Sequence, residues 1–302
     1  MARVTAVCIS EKKGEQKYPV DKIRIKPDHG IQGDAHSGNW HRQISLLGKE
    51  SVAKVQPAID YPLEPGAFAE NILTEGIELF SLPIGTVLEI GETLCEVTQI
   101  GKECHHGCAI RQLAGDCVMP REGIFVKVLR GGEIRPGDDI RLLWDECVRF
   151  HGHSCGGLII GYKAALYALE LLDGMPRSED EELVCIAEND ACGIDGIQYI
   201  LGCTMGKGNL HFHIVGKQAF NFYHRGTGKS FRILLREREM SREEMKNLPG
   251  HELFETTEPV LELPEKASIF FSVDCEACGE RTAEPYLRLR EGKKLCLSCY
   301  QK

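Results

Sequence analysis

The chain has 302 residues, of which 42% are hydrophobic and 27% charged, and its formal net charge at pH 7 is -9. This length favours more than one domain, and the composition is typical of a folded protein with a substantial core. The negative charge argues against a nucleic-acid partner held mainly by electrostatics. No apolar run reaches the length of a membrane span, and the start MARVTAVCIS does not have the pattern of a secretory signal. We therefore expect a cytoplasmic protein without a membrane partner.

The chain contains 14 cysteines, which is many for a cytoplasmic protein. Because disulfides are disfavoured in a reducing compartment, clustered cysteines are expected to be metal ligands or reactive thiols. Isolated cysteines in apolar stretches are instead expected to be small core residues: Cys8, Cys95, Cys147 and Cys185.

Residues 1–145 are dominated by short strand-like stretches that glycine and proline separate. Examples are VTAVCIS, RQISLL, LCEVTQI and IFVKVLRGG, whereas only GKESVAKVQ is typical of a helix. Many short strands with few helices predict a mostly-β, barrel-like domain.

After residue 145 the pattern changes to that of an α+β domain, which we expect to span 146–262. The stretch GGLIIGYKAALYALELL, residues 156–172, predicts a long helix that is apolar on most faces and therefore central and buried. LVCIAEND predicts a buried strand, GIDGIQYILGC a helix, and NLHFHIV, AFNFYHR and SFRILLRE further strands. A serine at 241 followed by Glu244 predicts a short capped helix.

The strongest chemical motif lies in a small module that we expect to span 263–302. Cys275-x-x-Cys278 and Cys296-x-x-Cys299 are separated by 17 residues. Two such knuckles bring four thiolates to the corners of a tetrahedron, which suits a structural Zn²⁺. The module is too small to fold around its own core, so the metal is expected to supply folding energy. Iron–sulfur or redox use and four unrelated thiols are the alternatives.

A second group of ligand-type residues occurs in FHGHSCGG. His151, His153 and Cys155 alternate, so an extended segment would place all three on one side. The predicted long helix begins just afterwards, and its N-terminal dipole would favour the Cys155 thiolate. Candidate remote ligands follow around the next predicted helix: Asp190, Cys192 and Cys203. Mixed nitrogen and sulfur ligands suit Zn, Fe or Ni, and the alternative is a hydrogen-bonded polar turn with buried thiols.

Three stretches of the second half resemble the E-subunit family of formylmethanofuran dehydrogenase in the same order: HGHSCGGLIIGYKAA, ENDACGIDGIQYILGCTMGKGNL and GKQAFNFYHRGTGKSFRI. The resemblance covers about residues 148–300. It implies an α+β core with a metal near the His-x-His-x-Cys segment, a zinc-ribbon-like module at the end, and an accessory role beside molybdenum or tungsten enzymes. We take Cys192 as the remote ligand of that metal. The family usually has Cys-Pro-Gly where this chain has Cys155-Gly156-Gly157, so the complete ligand set stays open.

Two features near these motifs are expected to have supporting roles. His211 and His213 alternate on a predicted strand and are expected to line or support a site rather than bind metal. The stretch RGTGKS lacks the glycine that a phosphate-binding loop requires, because position 223 is Tyr223. It therefore predicts a hairpin turn between two strands.

The first half carries candidate groups of another kind in GDAHSGNWHRQISLL and IGKECHHGCAIRQLAGDCVMPREG. The Cys104 thiol beside Lys102 and two histidines would be shifted toward the thiolate. Arg111 and Arg121 offer planar guanidinium groups that suit phosphate. The pattern indicates a site for a phosphorylated, sulfur-bearing or metal-bearing ligand. A further Zn site formed by Cys104, His106 and Cys108 is an equal alternative on the residues alone.

These stretches, together with PGAFAENILTEGIEL, resemble the MOSC domain, a module shared with the C-terminal part of molybdenum cofactor sulfurases, over about residues 1–145. The resemblance implies a β-barrel-like fold that binds a molybdopterin-type cofactor with Mo or W. It also implies that Cys104 is the sulfur carrier or a metal ligand, and that Asn71 and Arg121 belong to the cofactor pocket. The full set of candidate cofactor-binding residues is His36, Arg42, Asn71, Lys102, Arg111 and Arg121.

The two halves together predict an accessory protein that transfers sulfur to a molybdopterin-type cofactor, or delivers or matures that cofactor. Its partner would be a molybdenum or tungsten oxidoreductase of the formate or formylmethanofuran type. Sulfurases carry a separate domain that extracts sulfur from cysteine, and this chain has no room for one, so a sulfur donor protein would have to load it. Sulfurtransferase-like catalysis is the candidate activity, and a homodimer through the apolar helix is a further expectation. A Mo-dependent oxidoreductase in its own right and a metal-binding scaffold are the two alternatives.

Overall fold

The computed structural model describes residues 1–103, 117–237 and 239–302. The chain divides into two units, residues 1–262 and residues 263–302. Within the described part, no helix is both long and apolar enough to cross a membrane.

Two sheets build the first half of the larger unit. Their strands are β1 (Arg3–Ile9), β2 (Tyr18–Val20), β3 (Ile23–Lys26), β4 (Gly30–Ile31), β5 (Ile44–Gly48), β6 (Ile72–Glu75), β7 (Val87–Ile90), β8 (Thr93–Ile100), β9 (Ile124–Arg130), β10 (Gly132–Ile134) and β11 (Ile140–Leu142). The larger sheet has the order β11-β7-β8-β9-β5-β6-β1-β2 and the smaller one the order β10-β3-β4. The mostly-β prediction is confirmed. Among the described residues, an isolated bridge between Arg3 of β1 and Asp139, next to β11, connects the two ends of the larger sheet, but no continuous strand pairing closes it into a barrel.

Alternation of apolar and polar residues explains how these strands form a core. In β3, Ile23 and Ile25 are buried while Arg24 and Lys26 are exposed, as the two-residue period of a strand requires. Helix α1 (Lys49–Val55) occurs where the sequence predicted it, and a second short helix, α2 (Met119–Glu122), precedes β9.

The second half of this unit is α+β, as predicted. Its helices are α3 (Leu143–His151), α4 (Gly156–Leu171), α5 (Gly193–Leu201), α6 (Arg242–Asn247) and α7 (Gly250–Leu253), and its strands are β12 (Leu183–Ala187), β13 (Leu210–Phe212), β14 (Ala219–His224), β15 (Ser230–Leu235) and β16 (Phe254–Thr257). The sheet order is β13-β12-β14-β15-β16. The predicted long helix is confirmed as α4, which is central and largely buried. The hairpin turn between β14 and β15 and the Ser241–Glu244 capping box of α6 are also present.

Helices α4 and α5 approach each other through glycines, so that their backbones come into contact. A Cβ placed on Gly161 would lie 1.8 Å from the carbonyl oxygen of Gly193, and one on Gly196 would lie 2.6 Å from the backbone nitrogen of Tyr162. Only residues without side chains allow this packing. It brings the N-terminal ends of α4 and α5 side by side.

Helix α3 was not predicted from the sequence, and it connects the two halves without a loop. It begins at Leu143, directly after β11, and ends at His151. The domain boundary predicted between residues 145 and 146 therefore lies inside a helix. Further contacts join the halves, because the buried Arg130 side chain donates 2.9 Å to the carbonyl oxygen of Ile200 in α5, and the Tyr199 hydroxyl lies 3.2 Å from Glu89 in β7.

The four isolated cysteines predicted to be core residues are all buried: Cys8, Cys95, Cys147 and Cys185. Burial raises the pKa of the Cys95 thiol to about 12, so these groups act as small apolar side chains rather than as nucleophiles.

The unit formed by residues 263–302 contains two small hairpins, a turn of 3-10 helix (Glu284–Tyr286) between them and one short α-helix. Its elements are β17 (Ser272–Asp274), β18 (Arg281–Ala283), β19 (Leu287–Arg290), β20 (Lys293–Cys296) and α8 (Leu297–Tyr300). Its buried cluster is small and includes Cys275, Leu295 and Cys296, which agrees with the expectation that a metal supplies much of its stability.

Candidate functional site

The histidine–cysteine group lies where α3 ends and α4 begins. His151 is the last residue of α3, and Gly152 caps that helix in the left-handed conformation with φ of +97°. Cys155 is the N-cap of α4, where its Sγ accepts a hydrogen bond from the backbone N–H of Leu158 at 3.3 Å. The ligand atoms of His151, His153 and Cys155 all lie within 4.8 Å of one another. The predicted extended segment was therefore wrong, since a helix end, a turn and a helix start bring the three residues together.

One histidine of this group is oriented by a carboxylate. The Nδ1 atom of His151 lies 2.6 Å from Oδ2 of Asp195, and its Nε2 atom lies 3.7 Å from the Cys155 Sγ. The hydrogen bond that His151 donates to the Asp195 carboxylate is the main reason that the pKa of His151 is raised above its ordinary value. Because Asp195 binds Nδ1, Nε2 is the nitrogen left to face the thiol and an ion.

The environment of Cys155 favours the thiolate that metals bind. Partial burial alone would raise the pKa of this thiol, but hydrogen bonds from the Leu158 N–H, Cys192 and His151 outweigh burial and lower the pKa. Two nitrogens and one sulfur would fill three positions of a tetrahedral ion, which would leave one position for a fourth ligand. This donor set suits Zn, Fe or Ni.

The predicted remote ligands differ in their positions. Cys192 is the N-cap of α5 and contacts the Cys155 thiol, although it is not one of the three mutually close residues. Cys203 is fully buried, with its Sγ directed at the carbonyl oxygen of Leu183, so it acts as a core residue. Asp190 is exposed. Within the described residues, His211 and His213 also lie outside the close group.

The four cysteines of the small unit are also brought together. The ligand atoms of Cys275, Cys278, Cys296 and Cys299 lie within 4.8 Å of one another. Hydrogen bonds from the backbone N–H groups of Cys296, Cys278 and Ala277 lower the pKa of Cys275 to about 6. Four thiolates would fill all four coordination positions of a tetrahedral Zn²⁺ ion. The group therefore fits a closed structural Zn²⁺ site, as predicted.

In the first half, a lysine and a histidine lie beside a buried carboxylate. The Lys17 ammonium pairs with Asp34, and both side chains are almost completely buried. The Nδ1 atom of His36 lies 3.4 Å from the Lys17 nitrogen. Burial lowers the pKa of Lys17 and its bond with Asp34 opposes this, while the charge of Lys102 adds repulsion. Lys102 therefore lies close enough to Lys17 for their charges to interact.

Arg42 and Lys102 face the same aromatic ring. The Arg42 guanidinium carbon lies 5.7 Å from the centre of the Phe125 ring and 4.8 Å from that of Trp40. The Lys102 nitrogen lies 5.9 Å from the Phe125 ring centre. The Arg42 Nε atom is buried and has no hydrogen-bond partner among the described residues. A buried charged donor of this kind is costly unless a ligand satisfies it. Lys17, His36, Arg42 and Lys102 are called the cationic cluster below.

The other predicted cofactor residues have different surroundings. Asn71 is buried, and its side-chain amide donates to Asp34 and to the carbonyl oxygen of Cys8, so it supports the cluster from within the protein. Arg121 is exposed on α2, next to Pro120, whose carbonyl oxygen accepts from the Lys102 backbone. Cys104 and Arg111, and with them the alternative Zn ligands His106 and Cys108, lie outside the described residues.

Sequence reasoning missed three residues of these sites. Lys17 and Asp34 lie 17 residues apart, and Asp195 lies 44 residues after His151. One signal in the sequence could have identified Asp195. It lies in the first turn of a predicted helix that directly follows Cys192, which was itself a predicted ligand. Nothing in the local pattern around Lys17 marks it as buried.

Three family models match this chain. Residues 33–141 match the MOSC domain, and residues 150–268 match the model described as FmdE, molybdenum formylmethanofuran dehydrogenase operon. Residues 270–302 match the prokaryotic dksA/traR C4-type zinc finger.

One curated relative and several solved structures are similar to the chain. A "probable S-adenosyl-L-methionine-binding protein" from Archaeoglobus fulgidus is 29% identical over 207 residues, which is 55% of each chain, so this chain spans about half the length of that relative. An FmdE-like protein of the tungsten formylmethanofuran dehydrogenase type from Syntrophus aciditrophicus is 25% identical with a TM-score of 0.41, covering 52% of this chain and 90% of its own. The YUAD protein from Bacillus subtilis is 21% identical with a TM-score of 0.40, covering 46% and 94%.

The two family resemblances seen in the sequence are confirmed by these matches, as is the four-cysteine zinc module. The MOSC match covers the cationic cluster except Lys17, and the FmdE match covers the histidine–cysteine group. The chain therefore has segments that match a MOSC domain, an FmdE-like domain and a C4-type zinc finger, and these matches support a cofactor-associated accessory or metal-binding role.

Proposed function

We propose that the protein binds a molybdopterin-type cofactor with Mo or W at the cationic cluster of its MOSC domain. It would then sulfurate, deliver or mature this cofactor for a partner oxidoreductase of the formate or formylmethanofuran type. The observation that carries the proposal is the buried Arg42 Nε atom, which has no hydrogen-bond partner among the described residues.

The balance of charge favours an anionic ligand at this position. Asp34 compensates Lys17, because the two form a buried ion pair. Arg42 and Lys102 then provide two positive charges beside the Phe125 ring. A phosphate group with about two negative charges would match them, and a planar ring system would find exposed aromatic surface at Trp40. Molybdopterin carries both kinds of group.

The proposed chemistry divides between the two domains. In the MOSC domain, Cys104 would bind the Mo or W of the cofactor, or would carry sulfur as a persulfide by taking the outer sulfur of a persulfide on a donor protein, whose thiol is released, as the family resemblance implies. In the FmdE-like domain, His151, His153 and Cys155 would hold a Zn, Fe or Ni ion, with Cys192 as the candidate fourth ligand. The adjacent Cys155 and Cys192 thiols support this assignment.

The name of the Archaeoglobus relative raises S-adenosyl-L-methionine as a competing ligand. The sulfonium group of S-adenosyl-L-methionine is positively charged, and the cationic cluster would repel this group. We therefore expect this compound to leave cofactor binding unchanged. Displacement of the cofactor by S-adenosyl-L-methionine would favour the competing ligand.

Substitution of Arg42 tests the proposed function directly. The chain is produced in a host that makes molybdopterin and purified without oxygen, and the pterin is released by oxidation and measured by fluorescence. We expect Arg42→Gln to retain about 10-fold to 100-fold less pterin, because a charge-assisted hydrogen bond contributes about 1.5–3 kcal/mol.

Arg141→Gln is the matched control. Arg141 belongs to the same half of the protein, but it is half exposed and pairs with Asp139 at the surface. Its substitution should leave pterin content unchanged. Equal pterin content in Arg42→Gln and Arg141→Gln would contradict the assignment of the cofactor to this cluster.

A further inference from the structure

Asp195 makes contacts that fix its carboxylate in one orientation. Its Oδ2 atom lies 2.6 Å from Nδ1 of His151, and its Oδ1 atom accepts a hydrogen bond of 2.9 Å from Gln198 Nε2. Each oxygen of the carboxylate is thus held by a different side chain.

The ring of His151 lies between this carboxylate and the proposed ion position. While Nδ1 faces Asp195, Nε2 lies 3.7 Å from Cys155 Sγ. A neutral imidazole carries one proton, so donation of Nδ1–H to the carboxylate leaves the lone pair on Nε2. This is the tautomer that can bind an ion beside the Cys155 thiol.

Helix packing determines where Asp195 lies. It belongs to the first turn of α5, whose N-terminal end is held against α4 by the close approach of Gly161 to Gly193. One turn later, Tyr199 donates from the same helix to Glu89 of the MOSC domain. The carboxylate is therefore placed by two contacts of α5 that do not involve the histidine–cysteine group.

We infer that Asp195 is a positioning residue of the metal centre, which holds the ring of His151 with Nε2 directed at the ion. This inference rests on the proposed metal site at His151, His153 and Cys155. A carboxylate behind a metal-binding histidine also raises the basicity of the ligand nitrogen, and loss of such a partner typically weakens metal binding about 10-fold to 100-fold.

The test uses the full chain with its C4 zinc finger already loaded with Zn²⁺. Co²⁺ is then titrated into the second site and followed by its visible absorption. We expect the dissociation constant to rise about 10-fold to 100-fold in Asp195→Asn and to recover partly in Asp195→Glu. Asp173→Asn, an aspartate of the same domain that is 80% exposed and pairs with Lys229 at the surface, should bind Co²⁺ as the wild type does.

A second readout separates positioning from a general structural role. In the Zn²⁺-loaded wild type, nitrogen-15 NMR should show His151 bound through Nε2 with a proton on Nδ1. Asp195→Asn should lose this defined state. If Asp195→Asn does not fold, Asp195→Glu is measured instead. In that variant, His151 should still bind the metal through Nε2.

Two negative outcomes have different meanings. Equal dissociation constants in the wild type and Asp195→Asn, with Nε2 bound in both, would overturn the role of Asp195 and leave the metal centre intact. Absence of any Co²⁺ binding beyond the zinc finger in the wild type would overturn the metal centre and this inference together.

Discussion

Gly161→Ala is expected to destabilise the protein by more than about 4 kcal/mol, the range of the most damaging single substitutions. The added Cβ would lie 1.8 Å from the Gly193 carbonyl oxygen and 2.4 Å from the Gly193 Cα. All of these neighbours are backbone atoms, so no side chain can rotate away, and α4 or α5 would have to move. Urea unfolding of the full chain measures the effect. The same movement would separate the N-terminal ends of α4 and α5, so metal binding at His151 and Cys155 should fall as well.

Gly206→Ala is the control for this prediction. Gly206 lies in an exposed turn, and a Cβ placed on it would have no atom within 4 Å. We expect its substitution to change the free energy of unfolding by less than about 1 kcal/mol, with either sign. Equal unfolding midpoints for the two variants would show that the helices are not packed as described.

Arg232→Met is expected to lower the free energy of unfolding by about 3–5 kcal/mol, which is the usual effect of removing one partner of a buried ion pair. The Arg232 Nε and terminal nitrogen lie 2.6 and 3.0 Å from the two carboxylate oxygens of Glu188. The side chains are only 9% and 2% exposed. Without Arg232, Glu188 would retain the Asn221 amide at 3.0 Å and the more distant charge of Lys217, but it would lose its direct ion-pair partner. Thermal and urea unfolding measure the loss.

Acid should reduce the difference in the free energy of unfolding between the wild type and Arg232→Met. The hydrogen bonds from Arg232 are the main reason that the pKa of Glu188 is lowered in the wild type. A lowered pKa in the folded state gives stability that is present above the unfolded pKa and is lost as the pH falls through the folded value. In Arg232→Met the buried carboxylate prefers to be protonated, so acid relieves its cost. The gap between wild type and Arg232→Met should therefore narrow from pH 7 to about pH 4.

Two further variants test whether the loss of stability in Arg232→Met comes from the buried charge of Glu188. Lys127→Met removes a partner of Glu96 at 2.9 Å, but these side chains are 44% and 27% exposed, so the expected cost is below about 1 kcal/mol. Arg232→Met/Glu188→Gln removes the charge that has lost its ion-pair partner and should recover part of the stability. If Arg232→Met costs no more than Lys127→Met, the buried pair does not contribute as described.

Local sequence pattern was sufficient for the elements that bury one continuous apolar surface. The helix α4 was predicted because alanine and leucine fill residues 156–172, and its burial followed from the lack of a polar face. Helix α3 was missed because β11 ends at Leu142 and the helix begins at Leu143, with no glycine or proline to mark the change. A strand-like pattern therefore continued into helical residues.

The ligand groups were predicted more accurately than their geometry. The residue types in His-x-His-x-Cys identified the group, but the sequence did not show that Gly152 ends a helix between the two histidines. The Asp195–His151 contact depends on how α5 packs against α3 and α4, and that packing joins residues far apart in the chain. For the same reason, the buried pair of Lys17 and Asp34 could not be recognised from either residue alone.

The most direct test of the account is metal analysis of the protein purified without oxygen. Zn, Fe, Ni, Mo and W per chain are measured for the wild type and for Cys104→Ala. We predict Zn in the C4 zinc finger of both proteins, a second ion at the histidine–cysteine group, and Mo or W that is present in the wild type and lost in Cys104→Ala. A wild type with two Zn or Fe ions per chain and neither Mo nor W would contradict the cofactor assignment and leave a metal-binding scaffold.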